Sequence, residues 1–379
     1  MKPTPVYSRL PLELVRAQGC TVWDSEGRAF LDLYGGHAVI SIGHGHALWV
    51  DAITAQASTM AYYSNSVLMG LQDQAAAALG RVSSHDTYDV FFVNSGAEAN
   101  ENAMKLASFA TGRSRIIAFD GAFHGRTSLA VAATDDAKIQ APINRTSQVV
   151  HVPLNDIEAV RTELSKGDVA AVIIEGIQGV GGCRMPEDNF LQALDEACKR
   201  SGALLILDEI QSGCGRTGAY FAFDHAGIEP ALITMAKGIG NGFPVGAVLI
   251  HPSVDVQVGM LGTTFGGSYM ACAAVKTVAE VLEAEKLMNN AEERGRQIRS
   301  GLRDISAVVD VRGRGLMLGI VLDRPCADVR TTLWKEHAIL TGNSSDPNVM
   351  RILPPLSITE QDIETFIQAM KTVLEEDLS

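Results

Sequence analysis

Residues 204–209 read Leu-Leu-Ile-Leu-Asp-Glu, four apolar residues followed directly by two acids. A similar apolar run at 232–236 ends in Lys237. Strands that are apolar on both faces are typical of a parallel sheet covered by helices. In such sheets, ligands bind at the carboxyl ends of the strands. The two runs therefore predict a buried sheet that carries Asp208 and Lys237 at its binding edge.

Further apolar runs and helical patterns alternate through the middle of the chain. The runs lie at 89–93, 116–119, 171–174 and 245–250. Helical spacing of apolar residues occurs at 100–110 and 190–198. Because alternating strands and helices are typical of a doubly wound α/β fold, we expect a large α/β domain with a mostly parallel sheet over residues 45–260.

The two ends of the chain follow a different pattern. Turn residues interrupt the apolar stretches of 21–34, and 308–322 predicts a strand pair around Gly313 and Gly315. A final helix is expected to begin near Ser357 or Thr359, either of which is a suitable N-cap. We therefore expect a smaller α+β domain built from residues 1–44 and 261–379.

Composition excludes several classes of partner. The chain has 379 residues and a formal net charge of −13, which disfavours binding to nucleic acid and to anionic membranes. No segment is apolar enough for a signal peptide or a membrane span. The six cysteines are scattered without a C-x-x-C pair, so we expect a cytoplasmic protein without disulfides. His37, His44 and His46 have no acidic cluster nearby in sequence, and we expect no metal site.

Two motifs place polar groups next to predicted strands. Asn94-Ser95-Gly96 lies between a strand and a helix that starts near Ala97, which is the arrangement of an anion site or of an ordinary capped helix. Asp208 is a helix cap, a magnesium ligand of a nucleotide hydrolase, or the partner of a pyridinium nitrogen. The magnesium interpretation requires a G-x-x-x-x-G-K-[ST] loop, which this sequence lacks.

Basic residues supply the remaining candidates. A lysine at a buried strand end has a lowered pKa and is a suitable nucleophile, although a lysine can also extend to solvent. Gly238, Gly240 and Gly242 lack the spacing of a dinucleotide loop, which argues against a dehydrogenase. Arg126 and Arg351 are suited to carboxylates, yet each alone is also typical of a surface residue.

Taken together, these motifs make the sequence resemble the class III (ω-amino acid) aminotransferases of pyridoxal-phosphate fold type I, along nearly its whole length. The likeness is strongest to the members that act on acetylornithine. The segments that carry it are NSGAEAN (94–100), FHGRT (123–127), LDEIQSGCGRTG (207–218), MAKGIGNGFPVGA (235–247), TTFGG (263–267), VRGRGLMLGI (311–320) and NVMRILPPL (348–356).

The resemblance implies a role for each candidate residue. Pyridoxal 5'-phosphate (PLP) is the expected cofactor, with Lys237 as its Schiff-base lysine and as the catalytic base. Asp208 pairs with the pyridinium nitrogen, and Gln211 approaches the ring hydroxyl. The other implied cofactor contacts are Ser95, Gly96, Ala97, Phe123, His124 and, from the second subunit of a homodimer, Thr264. The implied substrate residues are Arg126 for the donor carboxylate, Arg351 for glutamate, and Glu175.

The implied reaction transfers the terminal amino group of N-acetylornithine to 2-oxoglutarate, giving glutamate. One position departs from the family: Val180 stands where relatives usually have a glutamate. Because the valine removes a negative charge, we expect weaker discrimination against an N-succinylornithine donor. Ornithine, γ-aminobutyrate, β-alanine and diamines are alternative donors for the same catalytic core. A non-catalytic binding protein is the alternative of another class, and the presence of both Lys237 and Asp208 argues against it.

Overall fold

The computed structural model describes residues 1–376 and contains three β-sheets. The main sheet has seven strands in the order β4-β10-β9-β8-β7-β5-β6, and strands β9, β8, β7, β5 and β6 run parallel. The strands are β1 Leu14–Gln18, β2 Thr21–Asp24, β3 Ala29–Asp32, β4 Asp89–Val93, β5 Arg115–Phe119, β6 Val149–Val152, β7 Val169–Glu175, β8 Leu204–Asp208, β9 Leu232–Met235, β10 Gly246–Ile250, β11 Val308–Arg314, β12 Met317–Leu322, β13 Ile339–Leu340 and β14 Val349–Ile352.

The main sheet confirms the predicted α/β fold. Every residue of β7, β9 and β10 is buried, as the apolar runs predicted. Strand β10 is antiparallel to both β4 and β9, so the sheet is mostly rather than wholly parallel. Strand β6 was not among the predicted runs, and its residues Val149–Val152 are only partly buried except for the last.

Helices cover the main sheet and connect its strands. They are α1 Gly35–Ala38, α2 Ala47–Thr59, α3 Gly70–Ser83, α4 Gly96–Thr111, α5 Ser128–Ala132, α6 Ile157–Leu164, α7 Asp188–Ser201, α8 Tyr269–Ala284, α9 Leu287–Leu302, α10 Ala327–Lys335 and α11 Glu360–Glu376. Helix α4 begins directly after its N-cap Ser95, whose hydroxyl accepts a hydrogen bond from the Glu98 amide at 3.2 Å. None of the helices within residues 1–376 is long and apolar enough to cross a membrane.

Two smaller sheets lie outside the main one. Strands β11, β12 and β14 form an antiparallel sheet, and the predicted strand pair around Gly313 and Gly315 is its β11–β12 hairpin. In the other sheet, β13 pairs in parallel with β3, so a strand from each end of the chain meets there. The boundaries 45–260 and 1–44 with 261–379 stay a prediction for the two domains.

The last helix begins where the sequence predicted. Thr359 precedes α11, and its hydroxyl accepts a hydrogen bond from the Asp362 amide at 3.1 Å. The Asp362 carboxylate in turn accepts from the Thr359 amide at 3.0 Å. This reciprocal pair satisfies two amides that would otherwise lack partners at the start of a helix. The predicted apolar stripe of α11 is buried at Ile363, Phe366 and Met370, among others.

Candidate active site

A cavity of about 260 Å³ lies at the carboxyl ends of β7, β8 and β9. Its walls are Gly96, Ala97, Phe123, His124, Gly125, Arg126, Glu175, Val180, Asp208, Ile210, Gln211 and Lys237. All the site residues predicted from sequence line this cavity except Ser95, Thr264 and Arg351. The fold therefore brings together residues that are more than a hundred positions apart in the chain.

Lys237 follows β9 in a strained backbone conformation. Its φ is 47°, in the left-handed region that a non-glycine residue enters only at an energetic cost. The side chain is partly buried, and it lines the cavity. Burial lowers the pKa of the Lys237 ammonium, while the negative charges of Asp208 and Glu175 act in the opposite direction. A lysine with a lowered pKa supplies more neutral amine near pH 7 than an exposed lysine does.

Asp208 ends β8 and is 4% exposed. Its Oδ2 atom accepts hydrogen bonds from His124 Nδ1 at 2.7 Å and from Asn100 Nδ2 at 2.8 Å. Its Oδ1 atom accepts from the Ile210 amide at 3.1 Å. Three donors orient the carboxylate and compensate for the loss of water around it. The Nε2 atom of His124 is buried without a hydrogen-bond partner among the described residues.

Two residues that support Asp208 were not predicted from the sequence. Asn100 and Thr234 are both fully buried, and the Thr234 hydroxyl donates to Asn100 Oδ1 at 2.7 Å. Asn100 Nδ2 also donates to the carbonyl of His124 at 2.8 Å. One amide thus positions both the carboxylate and the backbone of the histidine that contacts it. A signal was present, because Asn100 is a polar residue on the buried face of α4.

Glu175 ends β7, beside β8 in the sheet. Its two oxygens accept from the Phe123 amide at 2.9 Å and from the Gly179 amide at 3.1 Å. Burial is the main cause that raises the pKa of the Glu175 carboxyl to about 7; the charge of His124 opposes this shift and that of Asp208 adds to it. The carboxyl therefore fixes the loops that carry Phe123 and Gly179 next to the cavity.

Gln211 and Arg351 extend the site beyond the cavity. Arg351 lies in β14, is 3% exposed, and donates from Nη1 to Gln211 Oε1 at 3.1 Å. A Cβ atom on Gly179 would lie 1.6 Å from that Gln211 oxygen, so a larger residue there would displace the end of the Gln211 side chain from its bond to Arg351. Arg351 has no acidic partner within residues 1–376, and its Nε donates to the carbonyl of Asn343. Arg126, by contrast, is exposed at the edge of the cavity.

Ser95 and Thr264 lie outside the cavity walls. Ser95 caps α4, whose first residues Gly96 and Ala97 do line the cavity. Thr264 is exposed, and its carbonyl accepts from the Tyr62 hydroxyl at 3.2 Å. A role for Thr264 in the site of a second subunit stays a prediction.

Histidines and cysteines do not form a metal centre within residues 1–376, where no group of three His, Cys, Asp or Glu side chains is arranged to bind an ion. His44 Nε2 donates to Asp32 Oδ2 at 2.9 Å, and His46 is paired with Glu285 at 2.9 Å. All six cysteines are free and buried.

Comparison with known proteins identifies the family. The model of the family described as aminotransferase class-III matches residues 4–374. The chain belongs to the class-III aminotransferases. It is 40% identical to the acetylornithine aminotransferase of Bacillus subtilis, over 97% of this chain and 96% of that protein. It is 39% identical to the acetylornithine aminotransferase of Methanosarcina acetivorans, over 96% of this chain and 92% of that protein.

Solved structures of other aminotransferases share the fold. The ornithine aminotransferase of Toxoplasma gondii superposes with a TM-score of 0.92 at 29% identity, covering 99% of this chain and 93% of that one. The acetylornithine aminotransferase of Elizabethkingia anophelis gives a TM-score of 0.86 at 30% identity, covering 98% and 96%. The family resemblance that the sequence motifs indicated is therefore confirmed.

Proposed function

We propose that this aminotransferase uses PLP to transfer the terminal amino group of N-acetylornithine to 2-oxoglutarate. The products are N-acetylglutamate semialdehyde and glutamate. The observation that carries the proposal is the meeting of Lys237, Asp208 and His124 in one cavity of a class-III aminotransferase. The choice of donor is supported by relatives named acetylornithine aminotransferase at 38–42% identity over nearly the whole chain.

The residues around the cavity fit PLP. Lys237 would hold the aldehyde carbon covalently, and Asp208 would pair with the ring nitrogen. The first turn of α4, at Gly96 and Ala97, would bind the phosphate because the N–H groups there have no partners within the helix. A Cβ atom on Gly96 would lie 2.8 Å from Ile210, so the close approach of these two segments depends on glycine. The unpartnered Nε2 of His124 is a further polar atom that a bound group can satisfy.

When bound, PLP supplies an electron-accepting ring that makes the carbon next to the transferred nitrogen acidic. Lys237 Nζ would then take the proton from that carbon, and its lowered pKa makes the neutral amine that this step needs more available. The charge of Asp208 would keep a proton on the ring nitrogen. Asn100 and His124 hold the Asp208 carboxylate in place through their two short hydrogen bonds.

Arg126 and Arg351 are suited to bind substrate carboxylates. Arg351 is a buried guanidinium without an acidic partner in the described part of the chain, and a substrate carboxylate would supply one. Arg126 lies on the exposed side of the cavity, where an incoming donor first arrives. We assign glutamate and 2-oxoglutarate to Arg351 and the acylated donor to Arg126.

A homodimer is the proposed assembly. Several large apolar side chains are exposed close to the segment that carries Thr264, and the rings of Tyr62 and Phe265 lie 5.2 Å apart there. Leu68 and Val258 are fully exposed, and α2 has no buried residue. Burial of such a surface against a second copy would remove apolar area from water.

Free, buried cysteines support a cytoplasmic location.

A donor panel tests the proposed reaction. The purified enzyme is loaded with PLP and given 2-oxoglutarate together with N-acetylornithine, N-succinylornithine, ornithine or γ-aminobutyrate, and glutamate formation is measured. We expect the two N-acylornithines to give the highest kcat/KM. Higher kcat/KM with free ornithine or γ-aminobutyrate would contradict the assignment of the donor while leaving the aminotransferase chemistry intact.

A further inference from the structure

A second cavity of about 570 Å³ adjoins the candidate active site. Its walls come from the turn at Tyr34–His37, from α10 and from the segment at 340–343. The two cavities share a wall: Gln211 Nε2 donates to the His37 carbonyl at 3.4 Å, and Arg351 donates to both Gln211 and Asn343. A substrate held in the first cavity therefore has the second one next to it.

Arg330 supplies a positive charge to the wall of this second cavity and forms no ion pair with an acid in the described chain. Arg330 donates from Nη2 to the Thr341 carbonyl at 3.0 Å, and its Nε atom is buried without a partner. Burial lowers the pKa of the Arg330 guanidinium, and the charge of Arg351 lowers it further, so the two cations lie close enough to repel. No acid within residues 1–376 forms an ion pair with either of them.

The one carboxylate that lines the cavity in the described chain is already engaged. Asp32 accepts hydrogen bonds from the amides of Tyr34 and Gly35, both at 2.9 Å, and its other oxygen contacts His44 Nε2 at 2.9 Å. It therefore serves the fold of the neighbouring turn rather than the two arginines. A partly buried guanidinium that lacks a counter-ion has a desolvation cost, and a bound anion would offset that cost.

A second unpartnered group points to the same ligand. Thr341 lines this cavity, is only 9% exposed, and has a buried hydroxyl without a hydrogen-bond partner in the described residues. Because Arg330 is hydrogen-bonded to the Thr341 carbonyl, the two unsatisfied groups are neighbours. Leu14, Val22 and Leu340 give the rest of the cavity an apolar lining that suits methylene groups.

We infer that this cavity is an acyl-group subsite in which Arg330 and Thr341 bind a carboxylate at the far end of the donor's N-acyl chain. N-succinylornithine, with two methylenes and a terminal carboxylate on its acyl group, has the required chemistry. N-acetylornithine has no charge to place there. The inference rests on the proposed function, since it concerns the acyl group of the same donor. It adds Arg330 and Thr341 as residues that determine the specificity for that group.

The test compares the two donors in substituted enzymes. kcat/KM is measured for N-succinylornithine and N-acetylornithine in the PLP-loaded wild type, Arg330→Gln, Thr341→Val and the exposed control Arg303→Gln. Arg330→Gln should lower kcat/KM for the succinyl donor by roughly ten-fold to a hundred-fold, the range for loss of one charged hydrogen-bonding partner. The acetyl donor and the control variant should change by less than about three-fold, since no bond to a charge is lost.

Thr341→Val tests the same subsite if Arg330→Gln fails to fold. It removes an unpaired buried hydroxyl, so its melting temperature should equal or exceed that of the wild type, while its preference for the succinyl donor falls. Equal loss with both donors in Arg330→Gln and Thr341→Val would overturn the inference and leave the proposed function standing. So would a wild type that uses only the acetyl donor. Activity with neither N-acylornithine would instead refute the proposed function itself.

A free anion is the other possible occupant of the subsite. In that case inorganic phosphate would change the rates of both donors alike in the wild type, and Arg330→Gln would abolish the effect. That result would overturn the assignment to the acyl group. Competition by phosphate against the succinyl donor alone is the outcome that the inference predicts.

Discussion

Substitution of Asn100 by leucine tests how the site positions its central carboxylate. Asn100 Nδ2 is 2.8 Å from Asp208 Oδ2 and 2.8 Å from the His124 carbonyl, while its Oδ1 accepts from the Thr234 hydroxyl at 2.7 Å. Leucine has a similar size but makes none of these bonds. Loss of the bond to the carboxylate costs roughly 1.5–3 kcal/mol, and each neutral group left unpaired costs roughly 1–3 kcal/mol.

These terms give an expected destabilisation of about 3.5–9 kcal/mol for Asn100→Leu, measured by urea unfolding. A second substitution, Thr234→Val, should recover about 1–2 kcal/mol in the double variant because it removes the hydroxyl that lost its acceptor. Asn102→Leu, on the same helix but bonded only to the Glu98 carbonyl at 2.8 Å, is the matched control and should lose less than the Asn100 variant.

The kinetic effect of Asn100→Leu should be the same in both half-reactions, since Asp208 serves both. We expect each single-turnover rate to fall by roughly ten-fold to a hundred-fold, equivalent to the loss of one charge-assisted hydrogen bond. Stopped-flow measurements with N-acetylornithine and with 2-oxoglutarate supply the two rates. Rates within three-fold of wild type, or a loss confined to one half-reaction, would refute a positioning role for Asn100.

Three further predictions concern separate parts of the molecule. Arg351→Ala should damage the half-reaction with 2-oxoglutarate and Arg126→Ala the half-reaction with the acylated donor; equal damage to both by either variant contradicts the division. Burial raises the pKa of Glu209 to about 8, so the stability that its protonated form contributes below pH 4.5 is lost as the pH rises through 8. Between pH 5 and pH 8, the free energy of unfolding of the wild type should fall by roughly 4 kcal/mol relative to that of Glu209→Gln. If the difference between the two proteins does not change with pH, Glu209 is ionised throughout this range. Val180→Glu should restore a negative charge and reduce kcat/KM for N-succinylornithine relative to N-acetylornithine, by roughly 2 kcal/mol for two charges taken to be roughly 8 Å apart at an effective dielectric near 20; an unchanged ratio would refute the charge argument.

The main sheet was predictable because its strands are buried on both faces. The run at 89–93 coincides with β4, and the runs at 204–207 and 232–236 differ from β8 and β9 by a single residue at one end. Strand β6 was not predicted because it lies at the sheet edge, where partial exposure leaves no continuous apolar run. The antiparallel direction of β10 could not be predicted, since hydrophobic pattern carries no information on strand direction.

Site residues that terminate a strand could be predicted from the sequence. Residues that act through a contact with another side chain could not. Lys237, Asp208 and Glu175 follow apolar runs whose carboxyl ends meet at one sheet edge. Asn100 and Thr234 could be assigned to the site only from the packing of α4 against β8 and β9, because their role depends on contacts between residues more than a hundred positions apart. Arg330 and Thr341 give no sequence signal either, as their importance rests on what they lack: a hydrogen-bond partner.

In the proposed reaction, Lys237 carries the transfer of an amino group from an N-acylornithine to 2-oxoglutarate. The most direct measurement combines borohydride reduction of the PLP-loaded enzyme with peptide mass spectrometry and with glutamate formation from N-acetylornithine, in wild type and in Lys237→Ala. We predict a pyridoxyl group on Lys237 in the wild type, and loss of both the label and the activity in the variant. A label on another lysine, or near-normal glutamate formation by Lys237→Ala, would contradict this role for Lys237.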